Sequence, residues 1–162
     1  MGEETVDVVV EIPRGSRNKY EMDKDKGVIR LDRRLFSATV YPADYGYIDG
    51  TLGEDGDALD ALVLLDDPTF PGCWVTARPV AVLWMEDDKG PDAKIICVPD
   101  GDVRWKGVDD IGALPRELRD EIQHFFEVYK MLEPEKHSAT RDWGGVEEAW
   151  KEIREAYERY PG

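Results

Sequence analysis

The chain has 162 residues, 41% of them apolar and 10% aromatic. That is enough for one packed domain spanning residues 1–162, and too apolar for a disordered chain. Lys and Arg number 21 against 36 Asp and Glu, a net charge of −15, so most of the surface repels nucleic acid and anionic membrane. A small anionic substrate would therefore need local cations, from Lys and Arg or from bound metal.

The N-terminus, Met1-Gly2-Glu3-Glu4, is acidic and lacks the basic and apolar regions of a signal peptide. No apolar run approaches a membrane span, and a cytoplasmic protein is expected. Val6, Val8, Val10 and Ile12 alternate, which predicts a half-buried strand ending at Pro13 with Glu11 on its other face. Lys19–Met22 and Val28–Leu31 read as short strands joined by the polar turn Asp23-Lys24-Asp25-Lys26-Gly27. Ala61–Leu65, Cys73–Met85 and Ala93–Val98 are further strands, and Pro79 marks a bulge or edge. Cys73 and Cys97 lie in apolar stretches without metal-ligand spacing and read as reduced, buried packing residues, with a disulfide as the alternative.

The last third is helical. Leu118, Ile122, Phe125, Tyr129 and Leu132 recur at three and four, placing them on one helix face that begins near Pro115 and ends before Pro134. Trp143, Val146, Trp150, Ile153, Tyr157 and Tyr160 repeat the pattern in a second helix stopped by Pro161-Gly162. The expected class is α+β, mainly β: a small β-barrel with two C-terminal helices packed on it.

Asp55-Gly56-Asp57-Ala58-Leu59-Asp60 carries most of the chemistry, with three aspartates in six residues directly before an apolar strand. Carboxylates so close repel one another, and hard divalent cations relieve that cost. An acidic surface loop and a cation site are equal readings of this segment taken alone. A calcium loop fails on spacing: with Asp55 first, Leu59 occupies an oxygen-ligand position and Asp60 the turn glycine. A second acidic run, Glu86 through Lys94, reads partly as a charged hairpin turn. Within it Asp92 and Lys94 lie two apart on one strand face, a pair able to serve a metal and a phosphate oxygen together.

Lys19 and Glu21 also share a strand face, and Arg33 follows in Leu31-Asp32-Arg33. Tyr41-Pro42-Ala43-Asp44-Tyr45-Gly46-Tyr47 is rich in hydroxyls, which serve packing or ligand binding. Tyr129 sits on the apolar helix stripe, and Lys130 lies one step off it, at the edge of the core. Neither His124 nor His137 belongs to a nucleophilic arrangement.

These segments, in this order and over nearly the whole chain, resemble the family I soluble inorganic pyrophosphatases of bacteria. The resemblance rests on Glu11-Ile12-Pro13, Lys19-Tyr20-Glu21, Leu31-Asp32-Arg33, Tyr41 through Tyr47, Asp55 through Asp60, Asp87 through Lys94, and His124-Phe125-Phe126 with Tyr129-Lys130. It implies an OB-like five-stranded barrel and Mg²⁺-dependent hydrolysis of pyrophosphate, with Mn²⁺ or Zn²⁺ as substitutes. It further implies that Asp55, Asp60 and Asp87 hold one metal, with Asp60 bridging to a second. Asp87 and Asp92 would hold a further metal, and Glu21 would assist another. Lys19, Arg33, Tyr45, Lys94, Tyr129 and Lys130 would contact phosphate, Asp57 would be the general base, and Glu11, Tyr41 and Asp88 would complete the site. A homo-hexamer is implied, to which a Trp143–Trp150 helix stripe would lend weak support. Ala58 departs from the proline usual in the signature, which is expected to loosen the loop, and Asp88 stands where glutamate is common.

The residue types suit this chemistry. Two metals roughly 3.5–4 Å apart can hold an attacking oxygen and lower its pKa, while cations and phenols offset charge on the phosphates. Two rivals are a two-metal phosphoesterase for nucleotides or nucleic acid and a non-enzymatic cation-binding module. The acidic surface argues against the first, and the Lys, Arg and Tyr set is unexplained by the second.

Overall fold

The computed structural model describes residues 4–162; the acidic start Met1-Gly2-Glu3 lies outside them. Alternating valines bury one face of β1 (Val6–Ile12). A hairpin follows, β2 (Asn18–Asp23) and β3 (Val28–Arg34), and forms a two-stranded sheet of its own. Next come β4 (Asp44–Ile48), β5 (Asp60–Val63), β6 (Trp74–Asp87) and β7 (Gly90–Pro99). Antiparallel pairs join β4 to β1 and β5, and β6 to β7 and β1, while β5 and β7 run parallel. The pairings close a ring of five strands, β1-β4-β5-β7-β6, as expected for the OB-like class. The β6–β7 register shifts between Pro79 and Ala81, as a proline that cannot donate to the ladder requires.

Side chains alternate across these strands, so each strand feeds two apolar clusters. Leu62, Leu83, Ile96 and Val98 pack with Ile122, Phe125 and Phe126 of α1 (Arg116–Val128). Ala61, Val63, Val82, Ile95 and Cys97 pack with Ala149, Ile153 and Ala156 of α2 (Val146–Arg159). Burying each large aliphatic or aromatic side chain stabilises the fold by about 1.5–3 kcal/mol. Glycine is required at Gly46 by close approach: a methyl group there would lie 1.9 Å from the Val9 carbonyl oxygen. No helix among the described residues is long and apolar enough to cross a membrane.

The structure corrects several expectations. Trp143 belongs to β8 (Ser138–Gly144), which pairs with β6 and places Trp143 opposite Leu83. Helix α2 starts only after Gly145, whose N–H donates to Glu148 at 2.8 Å, so Trp143 and Trp150 share no helix stripe. The α1 helix stops at Val128, which takes Leu132 off the apolar face and leaves it 64% exposed. Cys97 is buried but Cys73 is half-buried in a turn, and both are free thiols. Strand β4 begins inside the Tyr41–Tyr47 segment and runs one residue past it, where the hydroxyl-rich composition gave no strand signal.

Candidate active site

One cleft of about 690 Å³ gathers the chemistry-bearing residues, and every candidate named from the sequence lines it except Tyr41. Tyr41 is buried behind the wall, its ring 5.4 Å from that of Tyr45 and 4.7 Å from that of Phe125.

The centre is built by parallel pairing of β5 with β7, which sets Asp60 directly beside Lys94. Lys94 is 3% exposed, and its ammonium contacts Tyr45 Oη at 2.7 Å, Asp60 Oδ2 at 2.7 Å and Asp92 Oδ2 at 2.8 Å. Burial alone would lower Lys94, but Asp60 and Asp92 overcome it and hold the ammonium well above its ordinary value. Carboxylate oxygens of Asp55, Asp60 and Asp92 all come within 4.8 Å of one another. Burial pushes the Asp60 carboxyl up to about 7; Asp92 and Asp55 push the same way and Lys94 offsets part of the rise. Asp55 is also raised, by burial and then by Asp92 and Asp57. Three carboxylates face one ammonium here, so the cluster lacks positive charge. That donor set, all hard oxygen, fits a divalent cation such as Mg²⁺.

Gly56 turns the acidic loop with φ +90°, a conformation open to glycine. The turn presents Asp57 at the cleft mouth, where Lys89 of the β6–β7 turn meets its carboxylate at 2.8 Å. Asp87 stands apart from the three-carboxylate group and instead faces Lys130 at 3.6 Å. Asp88 lies 3.6 Å from Lys130 and 3.7 Å from Lys136. Burial pushes the Tyr45 and Tyr129 hydroxyls up, so both remain neutral donors at any physiological pH.

The opposite wall comes from the β2–β3 hairpin. Lys19 and Arg33 are cross-strand partners, and both reach Asp32 Oδ2, at 3.2 Å and 2.5 Å. Arg33 also pairs with Glu133 at 2.8 Å. Glu21 is exposed on the same hairpin, and Glu11 ties the hairpin to β1 by accepting the Met22 N–H at 2.8 Å. Burial raises the Glu11 carboxyl. Sequence reasoning missed Glu133, Lys89 and Lys136. Glu133 is a single acid in a loop and gives no local signal; Lys89 resembles an ordinary turn charge.

A cleft with an oxygen-rich acidic cluster on one side and paired cations and phenols on the other is suited to holding divalent metal and phosphate together. The chain belongs to the inorganic pyrophosphatase family: the profile of the family described as "Inorganic pyrophosphatase" matches residues 8–161. The inorganic pyrophosphatase of Streptomyces coelicolor is 55% identical, over 95% of this chain and 94% of the relative. That of Methanosarcina acetivorans is 54% identical, over 94% of this chain and 90% of the relative. The crystal structure of the Thermus thermophilus inorganic pyrophosphatase superposes with a TM-score of 0.95 at 50% identity, covering 98% of this chain and 92% of that one.

Proposed function

We propose that this chain hydrolyses inorganic pyrophosphate to two orthophosphates with divalent cations, Mg²⁺ foremost and Mn²⁺ or Zn²⁺ as substitutes, its 162 residues acting as one domain. The observation that carries this reading is Lys94, buried and shared by Asp60, Asp92 and Tyr45, which joins an acidic metal-type cluster to a phosphate-type wall. Asp55, Asp60 and Asp92 would hold metal at the centre, with Asp87 and Glu21 serving further ions at its edges. When bound, such ions lower the pKa of water and neutralise phosphate charge.

The chain's own groups do the rest. Lys19, Arg33, Lys94 and Lys130 bind phosphate oxygens and offset charge on the electrophilic and leaving groups. Tyr45 and Tyr129 donate hydroxyl hydrogen bonds to the same oxygens. Asp57, on a loop tip open to the cleft, accepts the proton of the attacking water. Glu11 fixes the hairpin against β1, Tyr41 supports Tyr45 from behind, and Asp88 orients Lys130.

The test is phosphate release from pyrophosphate, ATP and p-nitrophenyl phosphate, each with and without Mg²⁺. Release from pyrophosphate alone, and only with Mg²⁺, is expected; equal turnover of the organic phosphates would indicate a general phosphoesterase, and no release a binding module. A cytoplasmic homo-hexamer is also proposed. Exposed Phe70 and Trp74 support self-association, since exposed apolar groups favour contact surfaces. Light scattering that finds only an 18.4 kDa monomer would refute it.

A further inference from the structure

The geometry points to Glu133 as a positioning residue that holds Arg33, and through it the β2–β3 hairpin, in the orientation that receives phosphate. The inference rests on the reading of this cleft as a pyrophosphate site.

Glu133 is 7% exposed, in the loop just past α1. A carboxylate so buried must be paired or it destabilises the fold. Its partner is the Arg33 guanidinium, whose Nη2 lies 2.8 Å from Oε1 and 3.1 Å from Oε2. The other end of that guanidinium, Nη1, meets Asp32 at 2.5 Å. Arg33 Nε is buried without a hydrogen-bond partner. The orientation of the planar group is therefore set at its two ends, by Asp32 on its own strand and by Glu133 from the loop after α1. Asp32 belongs to the hairpin; Glu133 does not.

That difference matters because β2 and β3 share no backbone ladder with the five-strand ring; the Glu11–Met22 bond ties the hairpin at β2, and Glu133 ties it at β3. Lys94 belongs to the ring and Tyr129 caps the end of α1, whereas Lys19 and Arg33 belong to the hairpin. The Glu133 loop bridges the two parts. It follows Tyr129, which packs in the core, and Lys130, whose ammonium faces Asp87 at 3.6 Å. The Glu133 N–H closes back onto the Lys130 carbonyl at 2.9 Å. One short turn thus carries a core anchor, a cation of the far wall and the carboxylate that fixes the near wall. It links the two phosphate-binding walls at Arg33, as the Glu11–Met22 bond links the hairpin to β1.

The test is a double-mutant cycle with Glu133→Gln and Arg33→Ala, assayed for kcat and KM with Mg²⁺ and pyrophosphate, and for Mg²⁺ affinity. Glu133→Gln keeps the shape and removes the charge. Its expected effect is a loss of about 10- to 100-fold in kcat/KM, the scale of a misplaced substrate-positioning group, carried mainly by KM and with Mg²⁺ affinity unchanged. Glu133→Asp should recover part of the loss. In the Arg33→Ala background, Glu133→Gln should add little further. An equal loss in both backgrounds would show that Glu133 merely supports the fold, and full activity of Glu133→Gln would overturn the inference directly. If Arg33→Ala itself retains wild-type KM and kcat, the assignment of Arg33 to phosphate is what fails. Should Glu133→Gln not fold, the same cycle is run with Glu133→Asp.

Discussion

Asp60 offers a test that needs no substrate. Its carboxyl titrates near 7 in the fold against an ordinary 3.8, chiefly because it is buried and then because Asp92 and Asp55 stand beside it. A folded state with the higher pKa binds the proton more tightly than the unfolded chain. Below about pH 4 the group costs nothing; as pH rises from 3.8 to 7 the unfolded chain ionises first and the fold loses stability; above 7 the cost is constant. At about 1.4 kcal/mol per pH unit, about 3 kcal/mol of that cost develops between pH 5 and pH 8. The side chain keeps 21% of its surface open to the cleft, so this is an upper figure.

Asp60→Asn has no charge to lose. Thermal unfolding of both proteins in chelator, at equal concentration, isolates the effect of Asp60 and the groups it contacts, because titrations elsewhere in the chain cancel in the difference. The variant should gain on the wild type by up to about 3 kcal/mol from pH 5 to pH 8, or about 6–12 °C in melting temperature for a chain of this length. Added Mg²⁺ should shrink the gap at pH 8, since ionised Asp60 then gains a cation that asparagine binds poorly. A gap that ignores pH, or one that favours the wild type as pH rises, would mean that the Lys94 attraction outweighs burial and that the cluster is not short of positive charge.

Other outcomes follow from the same geometry. Asp57→Asn should lose activity by roughly 10²–10⁴-fold, the usual general-base contribution, and raised Mg²⁺ should not restore it, whereas Asp60→Asn should recover in part; full recovery of Asp57→Asn would make Asp57 a metal ligand. Ca²⁺ should replace Mg²⁺ in binding but fail to support turnover in a phosphate-release assay, because it is larger and accepts looser geometry. Gly46→Ala should destabilise the protein by about 3 kcal/mol or more, since its methyl group meets the rigid Val9 carbonyl; chemical denaturation measures it. A thiol reagent should label Cys73 in the native protein and leave Cys97 unmodified, because burial pushes the Cys97 thiol up and hides it.

What was legible in the sequence divides by distance along the chain. Local periodicity found β1, β6, β7 and both helices, because alternation and the three-four spacing depend only on neighbouring residues. It also found the pairing of Asp92 with Lys94, two apart on β7 and 2.8 Å apart in the fold. β8 was not legible: Ser138–Gly144 becomes a strand because the β6 edge pairs with it, and nothing in its own composition announces that edge. The same holds within the site. Asp60 and Lys94 are brought together by a parallel register between strands far apart in sequence, and Arg33 with Glu133 by a loop one hundred residues away. The family resemblance placed Asp60 and Lys94 in one site without pairing them and gave Glu133 no role; both pairs are contacts made by folding rather than motifs.

The arrangement of charge adds one more step. Every cation assigned to phosphate is already held by a carboxylate of the chain: Lys94 by Asp60 and Asp92, Lys130 by Asp87 and Asp88, Lys19 by Asp32, Arg33 by Asp32 and Glu133. The carboxylates divide into two kinds. Asp60, Asp92 and Asp87 are also the groups assigned to metal, whereas Asp88, Asp32 and Glu133 are not. On the metal side, under the proposed reading, the same carboxylates would serve both a divalent ion and the ammonium of Lys94 or Lys130. On the hairpin side, Asp32 and Glu133, which hold Lys19 and Arg33, have no metal role in that reading. Under the proposed reading, one wall of the cleft therefore shares its carboxylates with metal, whereas the ion pairs that orient Lys19 and Arg33 on the other do not involve a metal ligand.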